Sequence, residues 1–209
     1  MNIIDVITPP IRVPIEDIGI DGVDHINIHS RKAKTKLGRL IALESRVDFT
    51  HPDLGKFDSL EGFWHYLVTP GHPEEYRTMD PFAIKFHARS KGKQNRYPRF
   101  RNIVMDAMYL KIIQNPQLKE LFIANELPFD FYYSIRACDL KHRKNNSVVK
   151  GDRAIIRPEG LDFMITALED IRKLMLIGRT PLRTDVFTYI PTLAVRHHAP
   201  EHKDASRIT

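Results

Sequence analysis

The sequence predicts a mainly helical α+β domain with a small sheet. Three observations carry this. Apolar residues recur at helical spacing in several stretches, and helix-start signals such as Asp80-Pro81 and Asn115-Pro116 open two of them. Short alternating or aromatic-rich runs near 25–29, 47–57 and 127–135 read as strands. A length of 209 residues with 42% hydrophobic content is enough for one well-filled core.

Composition narrows the function classes. No run of apolar residues is long enough to span a bilayer, and Met1 to Ile15 lacks the layout of a secretory signal, which predicts a cytoplasmic protein. Cys138 is the only cysteine, so neither an intrachain disulfide, a Cys-rich zinc site nor a C-x-x-C pair can form. The 32 Lys and Arg against 26 Asp and Glu give a formal charge of +6, a mild bias towards anionic partners.

In chain order, residues 1–24 carry Pro9, Pro10 and Pro14 and read as an extended arm. A domain over 25–177 follows. His25 to His29 alternates as a half-buried strand, with Ile26 and Ile28 inward and His25, Asn27 and His29 outward. Residues 37–43 read as a turn and a second strand, and 47–57 as a hairpin turning at Pro52, Asp53 and Gly55.

The next helix is the candidate centre of function. Asp58 or Ser59 caps it, Leu60, Phe63, Trp64 and Leu67 form its apolar face, and Glu61 lies one turn before Trp64 and His65. A carboxylate, an indole and an imidazole can therefore border one pocket. The plainer reading is a helix-start acid favoured by the macrodipole beside a core tryptophan.

The Asp80-Pro81 helix places Lys85 and Arg89 four apart on one face, either solvated or forming a phosphate clamp. From Ser90 to Arg101 the chain holds Lys91, Lys93, Arg96, Arg99 and Arg101 without an acid, interleaved with Tyr97 and Phe100. Helices at about 101–114 and from Pro116 look structural, and 127–135 reads as a strand containing an unusual acid, Asp130. The basic insertion 136–157, with Lys141, Arg143 and Lys144, reads as a loop, a hairpin or a nucleic-acid-facing segment. A last helix runs from Pro158 to about Leu176, stopped by Gly178, and 178–209 is a proline-containing, partly flexible tail. His197, His198 and His202 fit a solvated tail better than a metal site.

Three blocks in this order resemble the NADAR family: Lys56-Phe57-Asp58-Ser59-Leu60-Glu61-Gly62-Phe63-Trp64, then Ala83-Ile84-Lys85-Phe86-His87-Ala88-Arg89, then Val104-Met105 through Asn115-Pro116-Gln117-Leu118. The segment Leu127-Pro128-Phe129 with Tyr132-Tyr133 is most similar to the branch carried by large tailed bacteriophages. The resemblance implies an α+β N-glycosidase acting on phosphoribosyl or ADP-ribosyl compounds. In the family, one branch cleaves riboflavin-pathway intermediates and another removes ADP-ribose from guanine in DNA.

Carried over by position, the resemblance makes Glu61 the catalytic acid residue, Lys85 and Arg89 phosphate ligands and Trp64 an aromatic wall. Arg39 joins the substrate-binding candidates. Asp130, with Tyr133 in a tryptophan's place, is one counterpart of the family's late Asp-x-x-Trp-Gly motif, and Asp139 is another. Ile41-Ala42-Leu43-Glu44 stands where the family has Leu-Ser-Asn-Phe.

The expected activity is removal of ADP-ribose from modified nucleic acid, or cleavage of a related nucleotide, without metal or cofactor and in the host cytoplasm if a phage encodes it. Lys91, Lys93, Arg96, Lys141, Arg143 and Lys144 are the nucleic-acid-binding candidates. The alternative is a degenerate protein of the same fold that binds nucleic acid, a nucleotide or a host protein.

Overall fold

A computed structural model describes residues 14–29, 31–92, 100–140 and 147–180. These residues form a single α+β domain. Its elements are β1 (Ile26–Asn27), α1 (Lys36–Ile41), β2 (Phe49–His51), β3 (Gly55–Phe57), α2 (Leu60–Val68), α3 (Pro81–Lys91), α4 (Phe100–Gln114), α5 (Pro116–Ala124), β4 (Phe129–Asp130), β5 (Tyr133–Arg136), β6 (Ser147–Lys150), β7 (Arg153–Ile156) and α6 (Asp162–Leu176). The strands make three small sheets rather than one: a parallel β1–β4 pair, the β2–β3 hairpin and an antiparallel sheet in the order β5-β7-β6.

α4 is the central helix. Ile103, Val104, Ala107, Met108, Leu110 and Ile112 are all buried, and the helix touches β2, α2, α5 and α6. Phe49, Phe57 and Phe63 close the core on the hairpin side through edge-to-face and stacked contacts. At the other end of the chain α6 buries Met164, Leu168 and Ile171, and Gly178, at φ 67°, lets Arg179 N donate back to Leu174 O.

Four expectations change. Residues 36–41 form a helix, not a strand: Thr35 caps it by accepting from Gly38 N, and Leu37, Gly38 and Ile41 are its buried side. Gly38 permits this, since a Cβ there would lie 2.5 Å from Asn27 O. Second, β1 is buried on both faces, because His25 reaches Tyr132 Oη and Asn27 donates to Tyr132 O. Third, the strand expected over 127–135 is two: β4 pairs in parallel with β1, and the chain then turns at 131–132 so that β5 joins β7. Fourth, residues 15–17 of the arm form a 3-10 turn with Ile15 buried, and Lys150 Nζ donates to Ile18 O. The described part of the basic insertion is the end of β5, a 3-10 turn over Ala137–Asp139 and the β6–β7 hairpin, which pairs through β7 with β5.

The most consequential side chain inside the core is Lys111. It is fully buried, and its Nζ donates to Ala42 O at 2.9 Å, Ile41 O at 3.4 Å and Ser45 Oγ at 2.6 Å. These include carbonyls at the C-terminal end of α1, so one amine replaces the partners that a six-residue helix lacks there. Burial pulls its pKa from 10.5 down to about 7.

The unfolded chain binds more protons than the folded one between the two Lys111 values, so stability should rise as pH increases from about 7 towards 10.5. Lys111→Met should flatten that part of the urea-midpoint profile, removing a dependence on the order of a few kcal/mol. Separately, a Cβ at Gly62 would lie 2.3 Å from Tyr76 O. Gly62→Ala should therefore destabilise the fold by about 1–3 kcal/mol in denaturant titration, despite the better helix propensity of alanine.

Candidate active site

Two short-range devices bring acids together. Ser59 starts α2 by accepting from Gly62 N, which places Glu61 in the first turn. Glu61 N then donates to Leu43 O at 2.9 Å, so the helix start is tied to the turn carrying Glu44. Glu44 and Glu61 are both buried, 4% and 6% exposed.

Lys85, from α3, answers both charges. Its Nζ is ion-paired with Glu44 Oε1 and lies 3.7 Å from Glu61 Oε1. His65, one turn along α2, meets the same Glu61 oxygen through Nε2 at 3.1 Å. Both contacts fall on Oε1, and among the described residues Oε2 makes neither a hydrogen bond nor an ion pair. The carboxylate is thus held at one oxygen and can offer the other to a ligand. Glu44, Glu61 and Lys85 thus set two carboxyl groups against one amine.

His29 completes the group. Its ring lies edge-on to Phe131 at 5.0 Å and tilted against Tyr133 at 5.3 Å. Burial lowers its pKa, with Lys85 adding to the effect and Glu44 and Glu61 opposing it. At neutral pH it is therefore an uncharged imidazole within electrostatic reach of both acids and the ammonium.

The expected site residues divide accordingly. Glu61 and Lys85 come together, and Tyr133 reaches the same region through His29. Trp64 is half-buried, edge-on to Phe100 at 4.7 Å and stacked on Phe163 at 6.5 Å, so it joins α2 to α4 and α6. Arg89 is exposed, with its guanidinium 5.4 Å from the Phe86 ring centroid, and does not share the Lys85 ion pairs. Arg39 is used locally, donating to Ala33 O and Lys34 O.

Asp130 belongs to a different cluster. Its Oδ2 meets Arg157 Nη2 at 2.5 Å, and it acts electrostatically on His25 and Tyr132 rather than being among the charges felt by His29. Burial pushes the Tyr132 hydroxyl up to about 12, helped by Asp21 and Asp130, and lowers His25. A protonated Tyr132 donating to Nε2 of neutral His25, 3.0 Å away, fits both shifts. Asp139, the other counterpart, is exposed and paired with Arg136. Lys91 is exposed and 3.8 Å from Glu75; Lys93, Arg96, Lys141, Arg143 and Lys144 lie outside the described residues, as do His197, His198 and His202.

Glu44 and His29 are the site members that sequence reasoning missed. The available signal was Glu44 itself, an acid directly after the apolar run Leu40 to Leu43. Among the described residues no group of three His, Cys, Asp or Glu side chains is arranged to hold a metal, and no helix is long and apolar enough to cross a membrane. Comparison with known proteins gives no matching family, no similar curated protein and no similar solved structure.

The ion-pair geometry predicts a coupling. Lys85→Met leaves two buried carboxylates without their shared cation and should cost about 1–3 kcal/mol, less than a fully enclosed pair because Lys85 is partly exposed. Adding Glu44→Gln should restore part of that loss, as a double-mutant cycle in urea would show.

Proposed function

We propose that the chain is a ribosyl N-glycosidase of the NADAR kind, removing ADP-ribose from modified nucleic acid with Glu61 as the carboxylate at the sugar. The observation that supports this best is the Glu61 group: a buried carboxylate anchored at one oxygen by His65 and Lys85, beside a second buried carboxylate.

The chemistry suits that group. As the C–N bond breaks, its electron pair leaves with the base nitrogen, which takes up a proton from solvent water, and positive charge grows on the anomeric carbon and ring oxygen. A carboxylate at the sugar stabilises that charge, more strongly because Glu61 is buried. Water then adds to the anomeric carbon, and its proton passes to a neighbouring base. Neutral His29, within electrostatic reach of Glu44, Lys85 and Glu61, suits the last role. Tyr133, against His29, offers a ring for the base or the adenine to rest on.

The Lys85 ion pairs alter the phosphate clamp. Lys85 is a positioning residue whose ammonium orients Glu61, and a phosphate would have to compete with two carboxylates for it. Arg89 has no such competitor among the described residues and is the better-placed phosphate ligand. The shared Lys85 also favours the alternative, a binding protein whose carboxylates are locked in ion pairs.

The deciding experiment measures ADP-ribose release from ADP-ribosylated guanine in single-stranded DNA. Release by the native chain, reduced at least about 100-fold in Glu61→Gln, is the expected result. No release by the native chain, there or from riboflavin-pathway intermediates, would leave the binding-protein reading. With an active chain, the acidic limb of the kcat/KM profile should lie below pH 6.5 and disappear in His29→Gln, because burial lowers the imidazole that must be unprotonated.

A further inference from the structure

The outward face of α3 carries an arrangement that the carboxylate site does not explain. Phe82 and Phe86 are 39% and 68% exposed, and they are the only aromatics among the exposed large apolar side chains of the described residues. Two phenylalanines one helical turn apart, open to water, are costly unless something covers them.

Cations accompany both rings. The Arg31 guanidinium lies 4.5 Å from the Phe82 centroid, Lys85 Nζ 5.7 Å from the same ring, and the Arg89 guanidinium 5.4 Å from Phe86. The acids nearest in sequence are already engaged: Asp80 caps α3 through Phe82 N and Ala83 N, and Glu75 lies 3.8 Å from Lys91. The face is therefore an aromatic stripe edged by positive charge, a combination that matches a chain with flat, unpaired bases and a phosphate backbone.

We infer that the Phe82–Phe86 face of α3 is a docking platform for single-stranded nucleic acid, the bases stacking on the two rings and the phosphates meeting Arg31 and Arg89. The rings are four residues apart, about 6 Å along the helix axis. That lies between one and two steps of a strand stacked at about 3.4 Å per nucleotide, so the platform takes splayed neighbouring bases, which a duplex does not present. Lys85 joins the platform to the site, because its ammonium both borders the Phe82 ring and pairs with Glu44 and Glu61. A strand on the rings would thus pass beside the carboxylates.

The inference deepens the glycosidase reading by naming the surface that holds the strand, but its test does not need turnover. The full chain is titrated into labelled single-stranded oligothymidylate, oligouridylate and a duplex of equal length, with anisotropy as readout. Both single strands should bind more tightly than the duplex, with about a tenfold loss in Phe86→Ala. Arg89→Ala should instead reduce the slope of log affinity against log salt by about one. Preference for one single strand over the other identifies DNA or RNA as the partner.

Phe86 is mostly exposed, so its substitution leaves the core intact, and an unchanged thermal unfolding curve checks this. Unaltered strand binding by Phe82→Ala and Phe86→Ala would overturn the inference, as would a native dimer that Phe86→Ala dissociates without any change in strand binding. The two readings separate cleanly. Phe86→Ala should still cleave an ADP-ribosylated guanosine too small to span the platform, whereas Glu61→Gln should bind strands normally and cleave nothing.

Discussion

Lys111 holds the turn on which the candidate site is built. Its amine reaches from α4 to Ile41 O, Ala42 O and Ser45 Oγ, filling the end of α1 from below, while Glu61 N binds Leu43 O from the side. Glu44 lies between these anchors and is therefore delivered to Lys85 with little freedom. A lysine in this position is tolerable because three oxygens meet it and because loss of its proton relieves the cost of a buried charge. The helix, the turn and the acid thus depend on one amine.

The rest of the site follows from the order of charges. Two carboxylates gathered by backbone contacts would repel one another without a cation, and Lys85 reaches them from a different helix. That helix is set by Asp80 and Pro81 at its start, so a cap that touches neither acid fixes where the ammonium arrives. A second polar cluster repeats the principle with other residues: Arg157 balances Asp130 beside the His25–Tyr132 pair. In the cluster around Glu61, two acids share a single cation.

Much of the framework was legible because local signals were strong. Ser59, Asp80-Pro81 and Asn115-Pro116 mark starts at which helices do begin, and Pro52, Asp53 and Gly55 mark the hairpin. The α1 helix was not, because six residues with a glycine look like a turn and strand until the amine of Lys111, 70 residues away, satisfies its end. Burial of His25 and Asn27 depends on Tyr132, over 100 residues distant, and alternation alone cannot register such a partner. Glu61 and Lys85 were visible as candidates, whereas Glu44 entered only through a contact spanning 41 residues. Spacing reveals what shares a face; it does not reveal which distant group a charge will meet.

Trp64 has a different kind of importance. It is the only indole in the chain, and it is wedged where α2 meets Phe100 of α4 and Phe163 of α6. Its emission therefore comes from a single junction, on the same helix as Glu61 and one turn away. Any rearrangement that loosens α2 from α4 or α6 would change the polarity around that ring. The protein thus carries a built-in optical probe of the helix that presents its central carboxylate.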